Sequence, residues 1–548
     1  MTTSAPLVMA ILYVALMFAG AALAHRHRER LQRSRARIHA YTLALAVYCT
    51  SWTYFGTVGT AATGGLHYLP IYLGPILMMV LGGRFLRRMN AQVQSEGATS
   101  ISDFIGSRFG KSRSVAALVT LIALFGTIPY IALQLRSVAV SFAMVSGTSE
   151  SVTPLLGAAV ALALFAIIFG VRRYEVAARN EAVLFAVAVE SIIKLTALGG
   201  VALLALWLLW MTPSSPDHGF GLLRRHFSVS DIDADFLTAS LLSVGAILCL
   251  PRQFYVTVME AREPDDILRA RWGFVAYLLL TVLAVPPITI AGLVMLGGDA
   301  PPDFFVLSLP GSIGAESISI LVFLGGLSAA LAMVVTEAIA LSSMISNDLF
   351  APILLRRRGN DAHLGEQLLW VRRAAIIALI AASVGFALMT PGGAQLASVG
   401  LIAFVAISQC APVLIAAVRR TGNEAAAAKA GLSVGFLLWL VTLFVPAVAG
   451  AALPLMLRDP RLLLGMDGIS PITFGATVSL SGNILSYWLV AWIMARRGRG
   501  SGGLATQHGI ARISDMGALA DLVVRFVGPE QSAELFGSDI DPSARIDL

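Results

Sequence analysis

The strongest constraint in this sequence is a series of apolar stretches, each long enough to cross a membrane. They occupy residues 6–24, 40–60, 67–83, 115–146, 153–171, 182–211, 236–250, 273–296, 314–346, 374–390, 396–418, 430–455 and 471–495. A helix needs about 20 mainly apolar residues to cross the ~30 Å hydrocarbon core of a bilayer. Only 13% of the residues are charged, compared with about 25% in soluble domains. We therefore predict an all-α membrane protein with about thirteen transmembrane helices.

The distribution of Lys and Arg residues predicts the orientation of these helices. If the helices alternate from a periplasmic N-terminus, the loops on the outside contain only Arg224, Arg225, Arg458 and Arg461. Nearly all other basic residues then face the cytoplasm, as the positive-inside rule requires, and the C-terminus is cytoplasmic. We expect a multi-pass protein of the bacterial inner membrane. Because the basic residues form short clusters between apolar stretches, nucleic acid is not an expected partner.

The composition changes near the end of the chain. We assign residues 1–498 to the transmembrane domain and residues 499–509, which contain a Gly-rich run, to a flexible linker. Residues 510–548 are polar, with apolar residues at helical spacing. A single helix of this kind cannot bury its apolar face alone, so we expect it to dock or to begin a small domain.

Catalytic chemistry is not predicted. The three cysteines, Cys49, Cys249 and Cys410, lie within or beside apolar stretches, and their spacing fits neither a disulfide framework nor a zinc site. No Cys/His or Ser/His/Asp arrangement can be nominated. We expect neither an enzyme nor a bound cofactor.

Three segments carry a resemblance to a known family. Residues 46–65 read AVYCTSWTYFGTVGTAATGG, residues 250–261 read LPRQFYVTVMEA, and residues 324–350 read LGGLSAALAMVVTEAIALSSMISNDLF. Together they resemble the symporter-like module of bacterial sensor histidine kinases, within the sodium/solute symporter family. Residues 513–536, ISDMGALADLVVRFVGPEQSAELF, resemble the start of the STAC domain that joins such modules to kinases.

The resemblance implies a LeuT-type architecture, with five helices and their inverted repeat around a site at the bilayer midplane. The repeats would be the second to sixth and the seventh to eleventh stretches, and the second and seventh helices would be interrupted. Gly56 and Gly59 weaken the second stretch, and Pro251 ends the apolar part of the seventh. Unwound backbone in a membrane is tolerated where it lines a cavity. The alternative is that these glycines only permit close helix packing.

Candidate solute-binding residues follow from this implied fold. They are Tyr48, Thr50, Ser51, Trp52 and Thr53 on the second stretch, Tyr130, Gln134 and Arg136 on the fourth, and Gln409 on the eleventh. An arginine in a cavity favours a carboxylate through a bidentate pair, which indicates a small amino acid or organic acid. Arg252 and Gln253 are expected mainly to anchor a cytoplasmic loop.

The coupling ion is left open between Na⁺ and H⁺. The resemblance implies a sodium site with backbone oxygens from Ala46, Cys49 and Ala329, but the two positions expected to carry hydroxyl groups are Ala332 and Met333. This site is therefore degenerate. Ser328 and Thr336 lie within one turn of the missing hydroxyls, so a shifted site remains an alternative.

Ionisable residues inside apolar stretches are costly and provide candidates for proton coupling. Glu190 and Lys194 are four residues apart on one face of the sixth stretch, and Glu337 lies in the ninth. Glu190 and Lys194 form either a structural ion pair or part of a proton path. Glu337 is either a titrating carboxylate or a residue near the cytoplasmic boundary.

Two functions fit these features. In the first, the chain is a secondary transporter that imports a small solute and is coupled to two-component signalling. In the second, it is a receptor that does not transport and signals to a separate histidine kinase. Sensing requires only that the solute binds two conformations with different affinity.

Overall fold

The structure is a computed structural model. It describes residues 4–27, 31, 36–148, 151–171, 180–211, 216–298, 300–357, 364–389, 396–419, 424–449, 454, 458–466 and 468–500. Within these ranges the regular structure is entirely helical, without a strand, which confirms the predicted all-α class.

The helices are numbered in chain order. They are α1 Ser4–Arg26, α2 Ala36–Ala44, α3 Thr57–Gly64, α4 Pro70–Leu81, α5 Gly83–Glu96, α6 Ile101–Arg108, α7 Arg113–Ser146, α8 Val152–Phe165, α9 Glu181–Met211, α10 Pro216–His226, α11 Ala234–Cys249, α12 Pro251–Phe254, α13 Asp266–Met295, α14 Phe305–Ser312, α15 Glu316–Met344, α16 Ala351–Arg357, α17 Leu364–Met389, α18 Leu396–Ser408, α19 Ala411–Arg419, α20 Ala425–Trp439, α21 Val445–Ala449 and α22 Pro471–Gly500.

In the described part of the chain, 10 helices are long and apolar enough to cross a membrane, or up to 12 if two bent pairs each count as one span. This count agrees with the prediction of about thirteen. The two stretches predicted at 40–60 and 67–83 contribute to one bent pair, Trp52–Tyr68 with Pro70–Leu81. The orientation of the termini stays a prediction.

The helix that begins with α2 is broken at Cys49 and Thr50. Its first half continues as a 3₁₀ turn, Leu45–Tyr48, and its second half begins with a π-helical turn, Trp52–Gly56, that leads into α3. Cys49 is extended, with φ −79° and ψ 103°. The neighbouring hydroxyls favour this break because they bond to nearby backbone; Thr53 Oγ1, for example, donates to Thr50 O at 2.9 Å.

The second break separates α11 from α12 at Leu250, which has φ −59° and ψ 126°. Its cause is Pro251, because a proline ring disfavours helical backbone at the residue before it. The short α12 continues as a π-helical turn, Tyr255–Met259. Both helices that were predicted to be interrupted are therefore broken. The first break lies at Cys49 and Thr50 and not at Gly56 or Gly59, which are helical and permit close packing against Trp52 and Asp303.

Helices α9 and α15 pack side by side and against the first broken helix. Gly326 on α15 permits this approach, since a Cβ atom there would lie 2.3 Å from Cζ of Phe55. On another side, Gly400 of α18 makes room for Trp52, where a Cβ atom would lie 2.4 Å from Cε3 of the indole. Residues around the first break are consequently enclosed by long helices.

The first half-helix is anchored by Arg37. Its Nε lies 3.0 Å from the Glu181 carboxylate at the start of α9, and its Nη2 donates to the Glu260 carbonyl at 2.6 Å. One buried guanidinium thereby ties α2 to α9 and to the chain that follows the second break.

The chain divides into two compact units, residues 1–491 and residues 492–548. Of the second unit, the structure describes only the last turns of α22, which ends at Gly500. The remainder of the predicted linker at 499–509 and the segment 510–548 lie outside the described residues.

Candidate functional site

The carbonyl groups freed at the first break are occupied by a lysine. Lys194 of α9 donates from Nζ to the carbonyl of Cys49 at 2.8 Å and to the carbonyl of Ala46 at 3.1 Å. Its side chain is buried, with 2% of the residue exposed. The ammonium therefore lies on two of the three backbone groups that the resemblance assigned to sodium.

Glu190 has a different environment from the one expected. Neither of its carboxyl oxygens has a hydrogen-bonding partner among the described residues, and the residue is fully buried. The predicted ion pair between Glu190 and Lys194 is absent from that part of the chain, because the ammonium bonds to the two carbonyls instead. A buried carboxyl group without a partner is more stable protonated than charged.

The other oxygens assigned to sodium lie on α15. Ala329, Ala332 and Met333 are buried. The two nearby hydroxyls donate to backbone: Ser328 Oγ to Glu190 O at 3.0 Å and Thr336 Oγ1 to Ala332 O at 2.5 Å. Neither hydroxyl contacts the carbonyl groups at the first break in the described part of the chain.

Four of the predicted solute-binding residues lie together around this break. Gln134 of α7 accepts two hydrogen bonds at Oε1, from Ser51 N at 3.0 Å and from Ser51 Oγ at 2.7 Å. One turn earlier, the Tyr130 hydroxyl lies 3.1 Å from Thr50 Oγ1. Helix α7 thus stabilises the start of the second half-helix, and all four side chains are buried.

A buried ion pair lies at the second break. Arg252 Nη1 and Glu337 Oε2 are 2.9 Å apart, and both side chains are 0% exposed. Thr127 Oγ1 donates to the other carboxylate oxygen at 3.0 Å, and the Arg252 Cζ atom lies 4.7 Å from the centre of the Tyr130 ring. Both side chains are therefore shielded from solvent, and Arg252 belongs to the core of the protein instead of anchoring a loop at the surface.

The sequence alone did not reveal the role of Arg252. Its position directly after Pro251 indicated the end of a helix and the start of a loop. The positive charge of Arg252 within the LPRQF segment was an available signal, because a cation beside unwound backbone in a membrane requires a partner.

A small cavity lies beside Trp52, between the two broken helices and α18. Its polar and aromatic lining consists of Trp52, Thr57, Thr60, His67, Tyr68, Ser243 and Phe404. The Trp52 and Phe404 rings meet edge to face, 5.1 Å between centres. The volume of about 40 Å³ admits only about one to three water molecules, so this conformation is nearly closed. Among the described residues, no lysine, arginine or carboxylate lines the cavity.

The remaining predicted solute-binding residues lie away from the first break or form hydrogen bonds with the backbone. Arg136 lines a separate, mainly apolar cavity of about 20 Å³ with Phe386 and Leu396. The Gln409 side chain donates to Val405 O and to Ser479 of α22 and accepts from Asn483 of the same helix, so its hydrogen bonds lie away from the first break.

Tyr48 and Thr53 belong to the wall of the first break. The Tyr48 hydroxyl donates to Ile71 O at 2.8 Å, and the carbonyl of Thr53 accepts from the Tyr72 hydroxyl at 2.9 Å. Both contacts tie the broken helix to α4.

Asp303 is an ionisable group outside the membrane-spanning helices with a perturbed pKa. Burial raises the pKa of Asp303 from 3.8 to about 6, although Leu396 N donates to its carboxylate at 3.3 Å. Asp303 lies between α13 and α15 and touches the second half-helix at Gly59, where a Cβ atom would meet Oδ1 at 1.8 Å.

No protein-family model matches the chain, and a comparison with curated proteins finds no match in sequence. In structure the chain is similar to a Na⁺-coupled sialic acid symporter in a substrate-bound outward-open state. The TM-score is 0.61 at 13% identity, over 89% of this chain and 97% of that chain. It is also similar to the Eremococcus coleocola manganese transporter, with a TM-score of 0.47 at 14% identity, over 84% of this chain and 95% of that chain.

The first of these similarities shows the fold. The chain is a multi-pass membrane protein with the fold of a secondary transporter, built around two broken helices. The solved structure that shows this fold is a symporter.

Proposed function

We propose that the chain is a bacterial inner-membrane secondary transporter of the sodium/solute symporter family. It binds a small solute in the cavity beside Trp52 and moves it by alternating access. The observation that supports this most is the position of the cavity, between Trp52 and Thr57 of the first broken helix, Ser243 of the second and Phe404 of α18. Solute sites of this fold class lie where discontinuous helices meet.

The lining favours an amino acid over an organic acid anion. The hydroxyls of Thr57, Thr60 and Ser243 donate to backbone carbonyls, so their oxygens can accept a hydrogen bond from an amino group. Trp52 and Phe404 offer apolar faces. An organic anion would bring a net charge into a site without a guanidinium, since Arg136 lines another cavity. A zwitterion carries no net charge, so its desolvation is compensated more easily by hydroxyl groups and backbone dipoles.

Uptake into proteoliposomes tests this proposal. We expect the full chain to accumulate one or more labelled amino acids from a panel that also contains organic acids. Trp52→Ala should reduce uptake by about tenfold or more, because an aromatic anchor at the centre of a site typically contributes over 1–2 kcal/mol. The control is Trp210→Ala, since Trp210 is 79% exposed on the outside of α9. Equal uptake by both variants would place the solute elsewhere.

A second function is coupling to two-component signalling. Residues 513–536 resemble the STAC domain, which supports a partnership with a sensor histidine kinase. A receptor that signals without transport would bind the solute but show no uptake in the same vesicles, so the two activities are separable by comparing equilibrium binding with accumulation.

A further inference from the structure

The first break holds a positive charge that belongs to the protein. A backbone carbonyl that is unwound within a membrane needs a donor or a cation, because no water is present in the hydrocarbon to satisfy it. For Ala46 and Cys49 the donor is the ammonium of Lys194, at 3.1 Å and 2.8 Å. Lys194 reaches them from α9, 145 residues away from Cys49 in sequence.

The surrounding residues do not fit sodium. A hard cation exchanges its water for a full shell of oxygen ligands. Here the side chains of Ala332 and Met333 offer none, and two of the three candidate carbonyls already bond to Lys194. A sodium ion on the same carbonyls would also lie beside the ammonium, and two like charges at that distance repel strongly in a buried site.

Lys194 lies on the face of α9 that packs against α15, and this position also favours a cation supplied by the protein at the first break. Four residues before it, Glu190 O accepts a hydrogen bond from Ser328 on α15; three residues after it, the Ala197 side chain approaches Gly325 of that helix. Lys194 is thus on the part of α9 that faces α15, the helix that the family resemblance made the second source of sodium ligands.

A third contact for the ammonium is available beside the break. A cavity of about 10 Å³ borders Lys194 and is also lined by Thr53 and Thr281. This is about the space that one water molecule needs. The ammonium has three N–H donors, of which two bond to the carbonyls.

We propose that Lys194 is the resident cation of this fold's sodium position, so that the protein binds no sodium at the first break. The ammonium joins the end of the first half-helix to α9 through the carbonyls of Ala46 and Cys49, as an ion would, but remains attached to the chain. This inference goes beyond the proposed solute transport, and its test requires no solute.

The first experiment uses the unaltered full-length chain. Its thermal unfolding in detergent is compared in sodium, potassium and choline chloride at equal ionic strength. We expect the same unfolding temperature in all three, because a ligand raises it only when it binds the folded state. A saturable rise that is specific to sodium would overturn the assignment.

The second experiment exchanges the tethered cation for a free one. Lys194→Ala alone should unfold at a lower temperature than the unaltered chain, whatever the salt. The triple variant Lys194→Ala/Ala332→Ser/Met333→Thr supplies the two missing hydroxyls and should gain a sodium-specific rise in unfolding temperature. The matched control is Lys429→Ala, because Lys429 is an exposed lysine of α20.

Two results contradict the proposal in this series. One is a Lys194→Ala variant as stable as the unaltered chain without sodium; the other is a folded triple variant that is indifferent to sodium. If the variants do not fold, the salt comparison on the unaltered chain still tests whether the folded protein binds sodium. Failure to observe uptake of any amino acid would count against the proposed transport and leave this result unaffected.

Discussion

Removing the charge of Glu337 should destabilise the protein more than most single substitutions. Glu337→Gln preserves the size of the side chain and an oxygen for Thr127, but it leaves the Arg252 guanidinium without a counter-charge. Arg252 has little other support, since its Nε and Nη2 atoms have no hydrogen-bonding partner among the described residues. Breaking one partner of a buried ion pair costs about 3–5 kcal/mol. Because the amide still accepts hydrogen bonds, we expect about 3 kcal/mol, the lower end of that range.

A double-mutant cycle separates the charge from the packing. Removing both charges with Arg252→Met/Glu337→Leu should cost much less than the two single substitutions together, because replacing a buried pair by apolar side chains is often close to neutral. The free energy of unfolding is measured by titration with SDS in mixed micelles. Glu424→Gln, at an exposed position on the membrane domain, serves as control and should change it by under about 0.5 kcal/mol.

The reasoning is refuted by either of two results. One is a cost below about 1 kcal/mol for Glu337→Gln, which would mean that water or another anion compensates Arg252. The other is a double variant whose cost equals the sum of the single variants, because independent sites add and coupled sites do not.

Two further predictions concern Asp303 and Gln134. Because burial raises the pKa of Asp303 from 3.8 to about 6, its contribution to stability is complete below about pH 3.8 and is lost as the pH rises through about 6. This loss is at most about 3 kcal/mol. The unfolding temperature of Asp303→Asn, measured as a function of pH, should not show the corresponding decrease. Gln134→Leu leaves the backbone N–H of Ser51 unpaired and should lower the free energy of unfolding in SDS by about 1–3 kcal/mol. The control Gln92→Leu, at a part-buried position of α5, should lower it by less. Equal decreases would contradict the contact between Gln134 and Ser51.

The resemblance implied the two helix breaks, and the sequence identified the local cause of only the second, because Pro251 restricts the residue before it. The first break was attributed to Gly56 and Gly59 but lies at Cys49 and Thr50, where the neighbouring hydroxyls offer alternatives to helical hydrogen bonds. The sequence also predicted that Gln134 and Tyr130 share a helix face, since residues four apart lie on one face. This pattern, however, says nothing about which helix that face will meet.

Contacts between distant residues were not predicted. The spacing of Glu190 and Lys194 suggested an ion pair, but helical spacing lists only the neighbours on one helix. The carbonyls at the first break are stronger competitors for the ammonium, because they have no helical partner of their own. The pairing of Glu337 with Arg252, 85 residues apart, was missed for the same reason: each residue was interpreted from its local segment.

The contacts at Tyr130 explain how the two breaks depend on each other. Its hydroxyl lies 3.1 Å from Thr50 at the first break, and its ring lies under the Arg252 guanidinium at the second. Tyr130 belongs to α7, which contains neither break. If the segment that follows either break shifts relative to α7, one of these two contacts is lost. A shift of α7 itself loses both. Because Arg252 is also paired with Glu337 of α15, the segment after the second break is held against two long helices. A movement of this segment relative to α7 and α15 therefore has to release both the ion pair and the contact with Tyr130.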